Sequence, residues 1–111
     1  MLQALTLAVP RASIALHFHD TRGMALANVL ASLEFGISTF DASAGGLGGC
    51  PYAPGAAGNL ATEDLVYMLD GLDYHTGVSI EAVHAASKAL EPHLGHPLPG
   101  RWAQARAGTS R

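Results

Sequence analysis

SIALHFHDTRGMALANVLASLEFGISTFD, Ser13 to Asp41, is the stretch that decides the fold. Ser13 to Phe18 is an apolar run too short for a helix, and a run of this length fits a strand buried on both faces. Met24, Ala27, Leu30, Ala31 and Leu33 then recur at helical spacing as far as Phe35, with Thr21 as a candidate cap and Gly36 as the stop. Ile37 to Phe40 is a second buried-strand candidate. Two strands joined by a helical crossover of about 17 residues make a parallel β-α-β unit, right-handed by the general rule.

Working outward, Met1 to Val9 carries apolar residues at Met1, Leu5 and Val9, enough for a short helix that Pro10 ends. Leu60 to Leu72 reads as a helix with Leu65, Met68, Leu69 and Leu72 on one face. Glu63 and Asp64 lie in its first turn, where acidic groups complement the helix dipole. Ser79 is a candidate N-cap for a further helix in which Ile80, Val83 and Leu90 point inward and which Pro92 stops. Beyond it, Pro97, Pro99 and three arginines predict a loosely held tail. The fold class is therefore α/β, ordered β-α-β-α-α after a short helix, with an ordered portion at residues 1–98 and a loosely ordered tail at 99–111. Two parallel strands cannot make a stable sheet alone, so the chain reads as a piece of a larger α/β domain.

Composition narrows the function classes. Of 111 residues, 49% are hydrophobic and 14% charged, the balance of a globular protein with a buried interior. Residues 1–100 carry three basic and nine acidic side chains, net −6, which argues against nucleic acid as a partner. The single cysteine cannot form an intrachain disulfide and points to a reducing compartment. The first ten residues lack a basic n-region, and no apolar run approaches the ~18 residues of a membrane span. A cytoplasmic protein without membrane contact is the expectation.

Chemistry-bearing residues gather after the two strands. His17 and His19, two apart on a strand, share a face near its C-terminal end, where ligand sites of parallel α/β folds lie. Convergent imidazoles bind divalent metals, although ordinary hydrogen-bonded histidines also fit the pair. Asp20 fits a ligand, an imidazole orienter or a helix cap. After the second strand, GGLGGCPYAPGAAGN, Gly45 to Asn59, packs six glycines, two prolines and Cys50 into fifteen residues. Such a stretch is a shaped functional loop. Cys50 fits either a reactive thiol or a small apolar filler. Asn59 fits a helix N-cap or an amide-oxygen ligand of a hard metal. His75, His84, His93 and His96 have no clustered partner in sequence. GGLGG lacks the G-x-G-x-x-G and G-K-[ST] patterns, so a nucleotide site is not expected.

The strings HFHDTRGMALANVLASLEFGISTFDAS and GGLGGCPYAPGAAGNLATEDLVYML closely resemble the C-terminal third of the 3-hydroxy-3-methylglutaryl-CoA lyases, metal-dependent TIM-barrel enzymes. The similarity runs from about Met1 to about Gln104. GLGGCPYAPGAAGNLATED is its most specific part, whereas HxHDTxGxALAN is shared more widely with related metallolyases and carboxyltransferases. Aldol-type synthases of the superfamily usually read HxHND and lack the cysteine loop, which favours the lyase. The resemblance implies a partial TIM barrel made of its last two parallel strands. It implies His17, His19 and Asn59 as ligands of Mg²⁺ or Mn²⁺, Cys50 as the catalytic cysteine, and a further proton-transfer role for His17. The implied reaction is retro-aldol cleavage of 3-hydroxy-3-methylglutaryl-CoA to acetyl-CoA and acetoacetate, a step of leucine degradation and ketone-body formation. The implied partners are an acyl-CoA substrate and, in the full-length family, a second copy in a homodimer.

One departure bears on activity. The family's first strand carries an arginine and an aspartate ligand in a DG-x-RDG-like run, and nothing of the kind occurs among these 111 residues. A TIM barrel needs eight strands and ~200 residues or more. The expectation is a lyase fragment, inactive by itself, or a chain completed by another. A lyase for another 3-hydroxyacyl-CoA, or a non-catalytic remnant that binds a partner chain, are the alternatives.

Overall fold

The computed structural model describes residues 1–48 and 58–109. Its elements run α1 (Leu2–Ala8), β1 (Leu16–His17), α2 (Ala25–Leu33), β2 (Phe40–Asp41), α3 (Thr62–Gly71), α4 (Ile80–Leu90) and α5 (Arg101–Thr109). Short 3-10 turns occupy Arg11–Ser13, Ala44–Gly46 and Glu91–His93. Strands β1 and β2 pair in parallel, Leu16 against Phe40 and His17 against Asp41, with α2 as the crossover between them. The β-α-β unit is as the sequence predicts, but each strand is two residues long and neither is buried on both faces. Leu16 and Phe40 are half-buried while His17 and Asp41 are exposed, because among the described residues nothing covers that side of the pair.

Local chemistry explains the boundaries of α2. Met24, not Thr21, holds the cap position, and Asp20 Oδ1 accepts a 3.1 Å hydrogen bond from the Ala25 amide. At the other end Gly36 adopts φ +76, the left-handed conformation that stops a helix most easily when no Cβ is present. Ala25 and Val29 on the inner face of α2 join Leu60 and Leu65 in a buried cluster, with Phe18, Phe40, Met68 and Leu69 packed around it. Each fully buried aliphatic side chain there contributes about 1.5–3 kcal/mol.

Helix α4 begins as predicted, with Ser79 Oγ accepting from the Ala82 amide at 3.2 Å. Its inner face differs from the expected one. Leu90 is exposed, and Ser87 is the residue that is fully buried. Where the sequence predicts a loosely held tail, the structure has α5, and the reason lies in α3. The Asp64 carboxylate, almost fully buried, accepts from the Arg101 amide at 3.1 Å and from the Trp102 amide at 2.7 Å. A carboxylate supplied from another helix thus satisfies amides that α5 cannot satisfy itself, and Leu98 and Ala103 seal the contact. Asp64→Ala is expected to cost about 1.5–3 kcal/mol and to fray α5 selectively. Amide exchange that rises in α5 and not in α2 checks it.

A second tie, this one between α4 and α5, is exposed. Arg106 donates to Glu81 at 2.6 Å and lies 5.5 Å from the centre of the Trp102 ring. Hydrogen bonding to Arg106 holds the Glu81 carboxyl below its ordinary range and raises Arg106 in turn. Because the folded-state value is depressed, this tie is present above the ordinary carboxylate range and is lost as pH falls through the lowered value. Trp102 fluorescence is expected to report that acid transition, and Glu81→Gln to abolish it with little change in stability near neutral pH. Among the described residues no helix is long and apolar enough to cross a membrane.

Candidate functional site

The site forms where the chain returns to the C-terminal end of β1 and β2. Residues 58–61 are stitched to both strand ends. Asp20 donates its amide to Gly58 O at 2.7 Å, Leu60 donates to Phe18 O at 3.2 Å, and Ser43 donates to Leu60 O at 2.9 Å. His19 and Asn59 face each other in an antiparallel bridge, and Ser43 and Ala61 in a parallel one. The return segment therefore places Asn59 beside the histidines through backbone hydrogen bonds and bridges.

The pleat brings His17 and His19 to one face, as two-residue spacing requires, and their ring centres lie 5.0 Å apart at 72°. Register then adds a residue that sequence reasoning does not single out as a partner. Asp41 is the direct neighbour of His17 across the pair, and its Oδ1 accepts a hydrogen bond from His17 Nδ1. Both side chains are well exposed, 47% and 66%, so the contact adds little to stability. Its effect is orientation: with the proton on Nδ1 engaged by the carboxylate, Nε2 carries the free lone pair. The signal was present in the sequence, since parallel strands ending H-F-H-D and F-D place a carboxylate opposite the first imidazole once the register is known.

Asn59 does not cap α3. Ala61 holds the cap position with no side-chain bond, and Asn59 Nδ2 donates instead to Leu47 O at 2.9 Å while its amide donates to Gly48 O at 3.3 Å. The helix begins two residues later than Asn59 needs, so its amide spans the neck of the glycine-rich segment. Asp20 Oδ1 accepts from the Ala25 amide at the start of α2. Cys50, with Pro51 and Pro54, lies outside the described residues.

Two imidazoles and an amide oxygen, with a carboxylate behind one ring, form a mixed nitrogen and oxygen donor set that fits a divalent cation of hard or borderline character. Among the described residues no group of three His, Cys, Asp or Glu side chains is placed to hold a metal, so such a set depends on the asparagine.

Sequence reasoning missed a second polar cluster below the site. Glu63 is only 1% exposed; its Oε1 accepts from the Gly45 amide at 2.8 Å, and its Oε2 lies 3.2 Å from Ser87 Oγ. His84 stacks edge-on against Trp102, with Nδ1 buried and 4.0 Å from Glu63 Oε2. The helix-dipole argument explains Glu63 away from sequence alone. The spacing of Ile80, His84 and Ser87 on one face of α4 was the available clue.

The HMGL-like family pattern matches residues 1–90. The chain is 57% identical over 101 residues to the hydroxymethylglutaryl-CoA lyase of Bacillus subtilis, covering 91% of this chain and 34% of that protein. A crystal structure of the Bacillus subtilis HMG-CoA lyase superposes with a TM-score of 0.92 at 56% identity, covering 96% of this chain and 36% of the other. The HMG-CoA lyase of Acinetobacter baumannii, solved in complex with coenzyme A and 3-methylmalate, gives a TM-score of 0.84 at 44% identity over 94% of this chain and 34% of the other. The chain thus spans about a third of the length of the relatives it matches.

Proposed function

The chain belongs to the HMGL-like family, and on that premise we propose that it forms the last two strands and surrounding helices of a hydroxymethylglutaryl-CoA lyase barrel. The observation that carries the reading is the meeting of His17, His19 and Asn59 at the C-terminal end of a parallel β-α-β unit. Exposed apolar side chains on α1, Leu7 among them, and the open side of the strand pair suit a piece that packs within a larger barrel. The substrate in this reading is an acyl-CoA, in keeping with the coenzyme A bound to the Acinetobacter relative.

His17, His19 and Asn59 are the residues that would hold a Mg²⁺ or Mn²⁺ ion. Such an ion would supply Lewis-acid polarisation of the substrate's hydroxyl and carbonyl oxygens. The chain's own contribution is orientation and proton handling. Asp41 orients the His17 ring and leaves Nε2 as its one free lone pair, which serves the ion or takes a hydroxyl proton, one at a time. Asn59 is anchored through Nδ2 on Leu47 O, which leaves its amide oxygen as the atom that would meet the ion. Cys50, in the roles the family resemblance implies, either returns a proton to the carbon left by bond cleavage or closes the site.

The test is a hybrid in which this chain replaces the matching third of an active relative. Cleavage of 3-hydroxy-3-methylglutaryl-CoA within about tenfold of that relative's kcat supports the reading. A folded hybrid that binds Mn²⁺ and leaves the substrate intact overturns it. The 111-residue chain tested by itself is expected to show no turnover.

A further inference from the structure

Glu63 is a fully buried carboxylate that the chemistry above does not use. Its nearest basic group among the described residues is His84, 4.0 Å away and outside hydrogen-bond range. Burying a carboxylate is costly unless donors meet it, and the donors here are informative. One is Ser87 Oγ on α4, whose single proton is shared between Glu63 Oε2 at 3.2 Å and Val83 O at 3.0 Å. The other is the Gly45 amide at 2.8 Å, where the chain leaves β2 for the glycine-rich segment. Gly45 O in turn accepts from the Gly100 amide at 3.1 Å, so both polar groups of Gly45 are pinned by elements outside the segment. Gly45 sits at φ +68, and a Cβ there would come within 2.9 Å of Leu98 Cδ2 and 3.2 Å of Ser87 Cβ. The backbone is held against the helices as closely as it can be.

Two and three residues on, this pinned stretch becomes the support of Asn59: Leu47 O accepts its side-chain amide and Gly48 O its backbone amide. We propose that Glu63 is a positioning residue, fixing residues 45–48 and through them the placement of Asn59; its bearing on catalysis rests on the lyase reading above. A purely packing role would be served by any side chain of similar volume. A positioning role requires an acceptor at Oε1, which glutamine keeps and leucine lacks.

The experiment compares the full chain with Glu63→Leu and Glu63→Gln, reading amide exchange residue by residue by NMR without metal or substrate. Glu63→Leu is expected to speed exchange at Gly45 and Asn59 about tenfold relative to Val29 in α2, and Glu63→Gln to stay within about threefold of the parent. Equal acceleration at Val29, leucine behaving like the parent, or glutamine behaving like leucine each overturns the proposal. If Glu63→Leu lacks helical circular dichroism, Ser87→Ala decides, with an increase of about threefold at Gly45 expected and the parent rate contradicting it. No substrate enters this test, so an inactive hybrid removes the lyase reading and leaves the Glu63 result standing.

Discussion

His17→Ala, introduced into the hybrid barrel, is expected to lower kcat by about 10³-fold or more. The ring is asked to do two things, and general acid–base groups alone account for roughly 10²–10⁴-fold. Asp41→Asn tests the orientation of the ring. It removes the carboxylate that engages His17 Nδ1 and leaves the imidazole in place, so a smaller loss of about 10–100-fold is expected, the size typical of groups that orient a ligand. Steady-state kinetics over a Mn²⁺ titration check both. Full recovery of His17→Ala at high Mn²⁺ would mean that the ring only holds the ion, and the proton-transfer role would then fall.

The β-α-β unit was legible because its signals are local: an apolar run, a helical period and a glycine stop lie in order between Ser13 and Asp41. The site was legible for a related reason, since two-residue spacing fixes a shared face for His17 and His19 whatever the rest of the chain does. The misreadings concern groups whose partners are distant in sequence. Asp64 and Glu63 sit in the first turn of α3, where a dipole argument suffices locally, yet their carboxylates serve amides at Trp102 and Gly45. The same distance hid α5, whose low apolar content gives no reason to fold until Asp64 meets its first turn. Strand burial was overestimated because an apolar run reports what a complete sheet would cover. The described residues leave His17 and Asp41 open.

Gly48→Ala is expected to damage both fold and site, and it ties the two together. Gly48 adopts φ +105, a conformation that costs an L-residue about 1–3 kcal/mol. Strain is the smaller part of the problem. A Cβ at this position would fall 2.4 Å from Asn59 Nδ2, so the asparagine must leave Leu47 O or the neck of the segment must open. Gly71→Ala is the control, because an added Cβ there meets nothing within 4 Å and glycine gives way to a better helix former at the end of α3. Thermal melts of the full chain are expected to fall for Gly48→Ala and to hold or rise for Gly71→Ala. In the hybrid, Gly48→Ala should also weaken Mn²⁺ binding by about 10–100-fold, the loss expected when a ligand's support is removed. Unchanged Mn²⁺ affinity in a Gly48→Ala hybrid that is measurably destabilised would show that Asn59 is part of the loop's architecture and not of the metal's donor set.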